Sequence, residues 1–388
     1  MKSLILYSLL FLMLFGCTNV SQTPDNNIPP EEVASPDEEN NEPGDDVLPG
    51  KEDKGLFYEF EEDSLTLLKN MTTEEKVGQM FLARCPEDEK LSLYLSMKPG
   101  GFILFGRDFY GKTKEEIVKS INYYQENSNI PMIIGVDEEG GAVVRVSSNP
   151  NLASEPYKSP QELFSLGGYE EIKRDTEEKS KLLKSLGINL NLNPVADVST
   201  DPEDFIFDRS FGKSAEETAL YVKTVVEAAQ ENKISSTLKH FPGYGNNTDT
   251  HTGSAYDKRP YEEFLSSDFI PFNAGIEAGA ESILISHNIV ESIDGKQPAS
   301  LSRKVIDILR NDLEFTGIIM TDDLSMGVSE TASPEVRAVL AGCDMLIVSD
   351  LETSYNELLS AVSRGDISED RIDESVLRII KWKCYFSS

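Results

Sequence analysis

The chain has 388 residues, enough for one large domain or two ordinary ones, and a single α/β barrel commonly occupies about 250 residues. Its formal net charge of -32 argues against nucleic acid as a partner and against a basic face that docks on membranes. The four cysteines are scattered, so the sequence shows neither a disulfide framework nor the ligand spacing of a metal site.

Residues 1–16 contain one lysine followed by an almost unbroken apolar run, which is short for a membrane span and typical of the h-region of a signal peptide. The sequence Leu14-Phe15-Gly16-Cys17 resembles a bacterial lipobox, in which the cysteine is lipidated and becomes the first residue of the mature protein. We therefore predict lipidation at Cys17 and an extracytoplasmic protein that is lipid-anchored to the bacterial cell membrane. The alternative is a plain secretory peptide with an incidental cysteine.

Between residues 17 and 56 the composition changes to proline, asparagine, aspartate and glutamate. Such a segment buries too little apolar surface to offset the entropy of the chain, and its like charges repel each other. We predict a disordered tether over residues 17–56, followed by a single folded domain over residues 57–388.

Beyond the tether, short apolar runs alternate with amphipathic stretches, which predicts β-strands joined by crossover helices. The eight apolar runs are residues 79–83, 101–105, 132–136, 189–193, 234–238, 282–285, 317–320 and 344–348. Helical spacing is found in residues 114–127, 169–186, 215–231, 302–312, 354–363 and 369–383. This alternation predicts an α/β fold of the (β/α)8 TIM-like barrel type, although an open doubly wound sheet would give a similar pattern.

Polar side chains follow most of these runs, at the points where strands are predicted to end. They include Arg107 and Asp108, Asp137, Asp197, Lys239 and His240, His287, Asp322 and Asp323, and Asp350. In a barrel the carboxyl ends of all strands converge on one face, which is where active sites are found. All three histidines of the chain fall on these strand ends or on the loops beyond them. The pattern therefore indicates a functional site at this face.

The densest group of these residues lies in residues 239–251. The segment predicts a strand end at Lys239 and His240, then a turn rich in proline and glycine, then a loop. On that loop Asp249 stands two residues before His251, close enough for the carboxylate to fix the tautomer of the imidazole and hold its proton. This arrangement is typical of a general acid/base, although a lone histidine is more often structural.

Five motifs between residues 71 and 375 add a more specific signal. They are Asp137-Glu138-Glu139-Gly140-Gly141 with Arg145, Asp208-Arg209-Ser210-Phe211-Gly212, residues 239–251, Ser286-His287, and Thr321-Asp322-Asp323-Leu324-Ser325-Met326. In this order they resemble the motifs of the glycoside hydrolase family 3 β-N-acetylglucosaminidases. Tyr244 and Thr250 stand where that family often has histidine and serine.

The resemblance implies a retaining, exo-acting β-N-acetylglucosaminidase that hydrolyses terminal β-linked N-acetylglucosamine through a covalent glycosyl-aspartate intermediate, without a metal or other cofactor. It implies Asp322 as the nucleophile, His251 as the general acid/base and Asp249 as the partner of that histidine. The implied substrate-binding residues are Asp137, Arg145, Arg209, Lys239, His240 and His287. For Asp323 we predict a hydrogen-bonding or helix-capping role.

After Asp350 only two helical patterns remain, which leaves no room for the additional α/β domain of the family 3 β-glucosidases. That domain usually supplies their acid/base, so its absence from the pattern favours the N-acetylglucosaminidase branch. For an extracytoplasmic lipoprotein, the predicted carbohydrate substrate is a peptidoglycan-derived fragment. We expect a monomer that contacts the membrane through its N-terminal lipid anchor.

Three alternatives stay open at this stage. A metal-dependent barrel hydrolase could use the three histidines with aspartates, but residues 79–85 lack the His-x-His pair with which such enzymes usually open. A catalytically inactive sugar-binding lipoprotein would be expected to have lost Asp249, His251 or Asp322, and all three are present. Phosphorolysis in place of hydrolysis is possible because a histidine acid/base repels phosphate less than a glutamate would.

Overall fold

The computed structural model describes residues 55–245, 255–326, 328 and 331–387, with the backbone alone for residues 386 and 387. The predicted signal peptide, Cys17, residues 17–54 of the predicted tether, Asp249 and His251 lie outside the described residues. Within these ranges, no helix combines the length and the apolar character that crossing a bilayer requires.

The described chain contains ten β-strands. They are β1 (Phe81–Arg84), β2 (Gly101–Leu104), β3 (Ile133–Val136), β4 (Leu190–Asn191), β5 (Ser235–Phe241), β6 (Tyr256–Asp257), β7 (Ser282–Ile285), β8 (Ile289–Val290), β9 (Ile318–Thr321) and β10 (Leu346–Val348). Eight of them form a parallel sheet in the order β10-β1-β2-β3-β4-β5-β7-β9, and β6 pairs with β8 in a small ribbon. A bridge between Met320 and Met345 brings β9 beside β10, so the sheet forms a nearly closed barrel.

This architecture confirms the predicted (β/α)8 barrel and excludes the open sheet. Each of the eight predicted apolar runs overlaps one strand of the barrel. Strand β5 is buried along its whole length and extends beyond the predicted run to Phe241. Lys239 and His240 therefore lie within the strand, near its carboxyl end. Parallel barrel strands are covered on both faces, which explains why they read as continuous apolar runs.

Helices surround the barrel. They are α1 (Glu61–Lys69), α2 (Thr73–Gln79), α3 (Asp88–Ser96), α4 (Gly106–Phe109), α5 (Lys114–Glu126), α6 (Pro160–Leu186), α7 (Ala215–Glu231), α8 (Tyr261–Glu263), α9 (Phe269–Glu277), α10 (Glu291–Asp294), α11 (Arg303–Asp307), α12 (Pro334–Ala341), α13 (Leu351–Arg364) and α14 (Glu369–Ser387). Short 3-10 turns occupy Tyr58–Phe60 and Ala299–Leu301, and π-helical turns occupy Phe264–Asp268 and Ile308–Asp312.

Two helical stretches differ most from their predicted extent. The stretch predicted over residues 169–186 begins earlier, at Pro160, because Ser159 caps this end by accepting a hydrogen bond from the Glu162 amide. Its continuity is interrupted at Gly168, whose φ of 66° lies in the left-handed region that glycine tolerates. The stretch predicted over residues 302–312 is α11 followed by a π-helical turn.

The amino end of the barrel is covered by α14. The Trp382 indole N–H donates to Ser235 Oγ at the start of β5 (3.1 Å), and Lys383 Nζ donates to Gln79 Oε1 just before β1 (2.6 Å). Strands β1 and β5 lie on opposite sides of the barrel, so α14 spans this end. The first described residues also lie at this end, since the Leu56 amide donates to Oγ1 of Thr316, two residues before β9 (2.9 Å).

Candidate active site

A cavity of about 400 Å³ lies at the carboxyl ends of the barrel strands, and we term it the central cavity. Six of the residues implied as site residues line it: Asp137, Arg145, Arg209, Lys239, His240 and Asp322. Other lining side chains are Arg84, Phe105, Glu139, Tyr244, Asp323, Met326 and Ser349. The cavity volume falls in the range of pockets that bind small ligands.

Lys239 is the centre of one charged group in this cavity. Its Nζ lies 2.7 Å from Asp137 Oδ1 and 2.6 Å from Glu139 Oε1. Arg209 binds the same glutamate with two parallel hydrogen bonds, Nε to Oε2 (3.0 Å) and Nη2 to Oε1 (2.7 Å). These contacts join three separate segments: the residues that follow β3, the loop that follows β4, and strand β5 itself. All three are therefore held at one wall of the cavity.

Mutual stabilisation keeps these groups ionised although most of them are buried. Burial opposes the charge on Glu139, but the Lys239 and Arg209 cations lower its pKa to about 2. Burial likewise opposes the charge on Lys239, but Asp137 and Glu139 raise its pKa above the ordinary lysine value. At neutral pH the wall therefore presents fixed charges of both signs.

His240 is held in one orientation by two neighbours. Asp197 Oδ2 lies 2.8 Å from His240 Nδ1 and also accepts the His240 backbone N–H (3.1 Å). The other ring nitrogen, Nε2, lies 3.3 Å from Arg209 Nη2. A guanidinium can only donate, so Nε2 accepts and the ring proton resides on Nδ1, where it donates to Asp197. The second oxygen of Asp197 accepts the Tyr244 amide (2.8 Å), which fixes the start of the following loop.

Asp322 follows β9 on the floor of the cavity. Its backbone N–H donates to Ile285 O of β7 (3.0 Å), and its Oδ1 accepts the Asp323 amide (2.8 Å). Burial raises the pKa of the Asp322 carboxyl, but His287, the Asp323 amide and Lys239 outweigh this and bring the pKa below its usual value. The side chain is thus an oriented carboxylate at neutral pH, as a nucleophile requires.

His287 lies beside the cavity floor, and the lining residues do not include it. Its Nε2 is 3.0 Å from the Asp323 carbonyl oxygen and its Nδ1 is 2.7 Å from Ser300 Oγ. The ring is buried, with 1% of the residue exposed, and it supports the backbone that follows Asp322. This placement favours a positioning role over the direct sugar contact that the resemblance implies.

Asp323 stabilises the same segment from the other side. Its Oδ1 accepts the Ser325 amide (2.9 Å), and its Oδ2 accepts the hydroxyl of Ser349 after β10 (2.6 Å). The predicted hydrogen-bonding role of Asp323 is confirmed. The seventh and eighth barrel strands are thereby joined directly behind Asp322.

Comparison with known proteins identifies the family. Residues 72–382 match the glycosyl hydrolase family 3 N-terminal domain. The chain belongs to glycoside hydrolase family 3. This membership confirms the predicted family and the predicted glycoside hydrolase class.

Two relatives and two solved structures define the similarity to other family 3 proteins. A β-hexosaminidase of Xanthomonas campestris pv. campestris is 30% identical over 272 residues, which are 68% of this chain and 81% of the relative. The β-hexosaminidase LpqI of Mycobacterium tuberculosis is 27% identical over 272 residues, which are 66% of this chain and 68% of LpqI.

The structure of a family 3 β-N-acetylglucosaminidase from Paenibacillus sp. FPU-7 superimposes with a TM-score of 0.76 at 29% identity. The match covers 82% of this chain and 64% of that longer chain. The LpqI structure, with a TM-score of 0.72 at 23% identity, covers 81% of this chain and 95% of LpqI, and shows the shared fold.

Asp249 and His251, the predicted acid/base pair, lie outside the described residues, and their roles stay predictions. The loop that contains them follows Tyr244, which lines the central cavity and packs edge-on against the His240 ring, with 5.0 Å between centroids. Over the described ranges, no group of three or more His, Cys, Asp and Glu side chains is arranged to hold a metal ion.

Several residues of the site were not assigned a role from the sequence. Glu139 and Asp197 stood at predicted strand ends, but spacing alone gave neither their partners nor their burial. Arg84 follows the first run, Phe105 ends the second, and neither gave a signal of function. The Arg84 guanidinium lies 4.7 Å from the centroid of the Phe105 ring, and that of Arg145 lies 5.8 Å from the same centroid.

Three of the polar strand-end residues support loops. Asp108 Oδ2 accepts the Phe105 amide (2.8 Å), and Arg107 Nη2 donates to Cys85 O (2.5 Å). Asp350 caps α13 by accepting hydrogen bonds from the Thr353 amide and hydroxyl. Arg107, Asp108 and Asp350 thus shape the loops at this end of the barrel, whereas the groups predicted to bind or react with the substrate lie on the wall and floor of the central cavity.

Proposed function

We propose that this family 3 protein is an exo-acting, retaining β-N-acetylglucosaminidase with Asp322 as nucleophile and His251 as general acid/base. The observation that carries the proposal is the ionised, oriented Asp322 carboxylate on the floor of a cavity whose wall presents paired charges. Relatives whose names describe β-hexosaminidases support the choice of sugar.

The wall formed by Lys239, Arg209 and Asp137 suits a pyranose. Neighbouring sugar hydroxyls can accept hydrogen bonds from the two cations and donate to the carboxylate, so one ring is fixed by charge-assisted bonds. Such bonds hold the anomeric carbon over Asp322 before reaction, which lowers the entropic part of the barrier.

The proposed reaction has two steps. In the first, an Asp322 oxygen forms a bond to the anomeric carbon while the glycosidic C–O bond breaks, and the leaving oxygen takes a proton from His251. In the second, His251 removes a proton from water, the water oxygen attacks the anomeric carbon, and the bond to Asp322 breaks. Asp249 favours the protonated imidazole in the first step.

An acidic aglycone derived from peptidoglycan fits the opposite part of the central cavity. Arg84 and Arg145 flank the Phe105 ring there, and within the described ranges neither forms an ion pair with a carboxylate. Nε of each arginine is buried without a hydrogen-bond partner among the described groups. The acidic amino sugar of peptidoglycan has a carboxylate that can bind such a guanidinium, whereas chitin fragments are neutral.

The decisive experiment compares an aryl β-N-acetylglucosaminide with the matching aryl β-glucoside, using the wild type, Asp322→Ala and His251→Ala. We expect preference for the N-acetylated sugar and a loss of about a thousandfold or more in kcat for Asp322→Ala. His251→Ala should lose about a hundredfold or more, and less when the leaving group is a weakly basic phenol that needs no proton. Asp307→Ala, at an exposed site on α11, is the matched control.

Equal turnover of both sugars would contradict the specificity, and wild-type kcat in Asp322→Ala would contradict the mechanism. Mass spectrometry of the enzyme with a slow fluorosugar substrate should find the adduct on the peptide that contains Asp322. Added phosphate should leave the product as free sugar, and a sugar phosphate would indicate phosphorolysis.

We further propose that the protein is a monomer, lipid-anchored at Cys17 on the outer side of the cell membrane. The apolar run of residues 1–16 and the lipobox-like sequence support this location. Wild-type protein should partition into the detergent phase of Triton X-114 and incorporate labelled fatty acid, whereas Cys17→Ser should do neither. Equal partitioning of the two proteins would rule out the anchor.

A further inference from the structure

A second cavity of about 430 Å³ adjoins the central cavity at the carboxyl ends of β1, β2 and β10. Arg84 and Ser349 line both cavities, so the two form one groove at this point. We term the second one the side cavity. Its other charged lining residues are Glu87, Glu89, Lys90, Arg107 and Asp350.

The position of the side cavity relates it to the leaving group. The wall with Lys239 and Arg209 belongs to the β3–β5 part of the barrel, and the side cavity lies across the barrel, beside β10, β1 and β2. Asp322 projects from β9, which is next to β10. A sugar held on the wall with its anomeric carbon at Asp322 directs its aglycone away from the wall, toward Arg84 and the side cavity.

The charges of the side cavity are balanced, and the ion pairs formed by Lys90 and by Arg107 with Glu87 are exposed to solvent. Three cations, Arg84, Lys90 and Arg107, line it together with three carboxylates. Lys90 Nζ is 3.7 Å from a Glu352 carboxylate, and 54% of the lysine side chain is exposed. The pair between Arg107 and Glu87 spans 3.3 Å with 39% and 84% of the side chains exposed. Exposed pairs of this kind stabilise a protein by about 1 kcal/mol or less, so a ligand can replace one partner.

The lining also disfavours a longer neutral sugar chain. Tyr94 is the aromatic residue among the described lining residues, and it is 3% exposed. Its hydroxyl accepts the Leu351 amide (3.2 Å), so the ring is fixed in the structure and offers no face on which a sugar could stack. Balanced charges without an aromatic platform fit a ligand that has both carboxylate and ammonium groups.

We propose that the side cavity binds the charged peptide of a glycopeptide aglycone, with Lys90 and Arg107 facing peptide carboxylates and Glu89 facing an ammonium group. The inference rests on the proposed function, because it takes the scissile bond to lie at Asp322. It adds a specificity-determining site to that function: a peptide-bearing disaccharide becomes a better substrate than the same disaccharide without its peptide.

The test uses the full-length protein and three substrates: an aryl β-N-acetylglucosaminide, N-acetylglucosaminyl-N-acetylmuramic acid, and the same disaccharide with its stem peptide. The measured quantity is the ratio of kcat/KM with the peptide to kcat/KM without it. Lys90→Glu should reduce this ratio about three- to tenfold, because an attraction becomes a repulsion. Lys90→Arg should retain it, and Lys119→Glu, the same charge change on the exposed face of α5, is the matched control.

A ratio that is the same in Lys90→Glu, Lys119→Glu and the wild type overturns the peptide site while leaving the glycosidase intact. A ratio near one in the wild type does the same. Absence of turnover of the aryl β-N-acetylglucosaminide by the wild type rejects the proposed function itself, so the two failures are distinguishable.

Discussion

The two ends of the barrel each hold a buried carboxylate among arginines or lysines, but the contacts differ in kind. At the carboxyl end, the Lys239 ammonium and the Arg209 guanidinium contact only other side chains within the described residues. At the amino end, Asp344 binds Arg310 (2.5 Å) and Arg378 (3.1 Å). We term the first group the cavity network, comprising Asp137, Glu139, Asp197, Arg209, Lys239 and His240, and the second the basal network, comprising Arg310, Asp344, Arg371 and Arg378.

The basal network also has several hydrogen bonds to the backbone. Arg310 donates to the carbonyl oxygens of Phe315 and Gly317 (both 2.7 Å), and Arg371 donates to Val339 O (3.1 Å). Asp344 itself accepts the Ile319 amide (3.0 Å). Charges bonded to backbone groups fix loops and strand ends, whereas charges bonded to one another can exchange a partner for a ligand. The side chains of Arg310 and Arg371 thus have backbone partners, which the side chains of Lys239 and Arg209 lack within the described residues.

Asp344→Asn should therefore act on stability. The substitution removes the charge of a fully buried carboxylate that compensates two partly buried guanidinium groups, and the unfolding free energy should fall by about 3 kcal/mol. Urea unfolding followed by circular dichroism measures the change. Asp307→Asn, which removes an exposed pair with Arg303, should cost less than about 1 kcal/mol. If Asp344→Asn lowered kcat/KM and left the unfolding free energy unchanged, the assignment of the two networks would be reversed.

Glu139→Gln should act on catalysis. It removes the carboxylate shared by Lys239 and Arg209, so both cations lose their fixed position at the wall. We expect kcat/KM for the aryl β-N-acetylglucosaminide to fall about a hundredfold, equivalent to about 2.7 kcal/mol. Steady-state kinetics at pH 7 measures this effect. A variant with wild-type kcat/KM would show that the wall does not bind the sugar.

Asp197→Asn tests the orientation of His240 within the cavity network. Asparagine cannot stabilise the Nδ1–H tautomer as a carboxylate does, so His240 Nε2 should cease to be a reliable acceptor for Arg209. We expect about a tenfold fall in kcat/KM, with the proton of His240 redistributed between the ring nitrogens in its ¹⁵N NMR spectrum. An unchanged tautomer together with lost activity would indicate that Asp197 acts only through the Tyr244 amide.

The pH dependence of stability gives the smallest of these signals. The pKa of Glu139 is about 2 in the folded protein and near 4.5 when unfolded, so its contribution is full above about pH 4.5 and is lost as the pH falls toward 2. The difference in unfolding free energy between wild type and Glu139→Gln should shrink by about 1 kcal/mol between pH 6 and pH 3.5. Urea titrations at both pH values measure it, and a pH-independent difference would contradict an ionised Glu139.

Sequence patterns predicted the strands and helix α7 well because apolar periodicity reports burial, and burial defines these elements. They failed at the start of α6 and at Gly168, where a cap and one backbone angle decide the path. The strand-end rule placed Asp137, Lys239 and Asp322 in one cavity, since parallel strands in a barrel share an end. It could not separate His287 from them, because the direction of a side chain after a strand depends on the hydrogen bonds it finds.

Roles within the site were harder to predict than membership. Glu139 and Asp197 were visible as polar residues, but their partners come from other strands and no local spacing encodes such pairs. Arg84 follows an apolar run without any motif, and only the barrel brings its guanidinium beside Phe105. The sequence likewise contains no sign that Asp344 binds two arginines at the opposite end.

The hydrogen bond between Leu56 and Thr316 sets the point at which the chain enters the domain. That point lies at the amino end of the barrel, about as far from Asp322 as the strands allow. A tether attached at this point would leave the barrel at the end opposite the central cavity. The predicted anchor would then not obstruct access of a carbohydrate to that cavity.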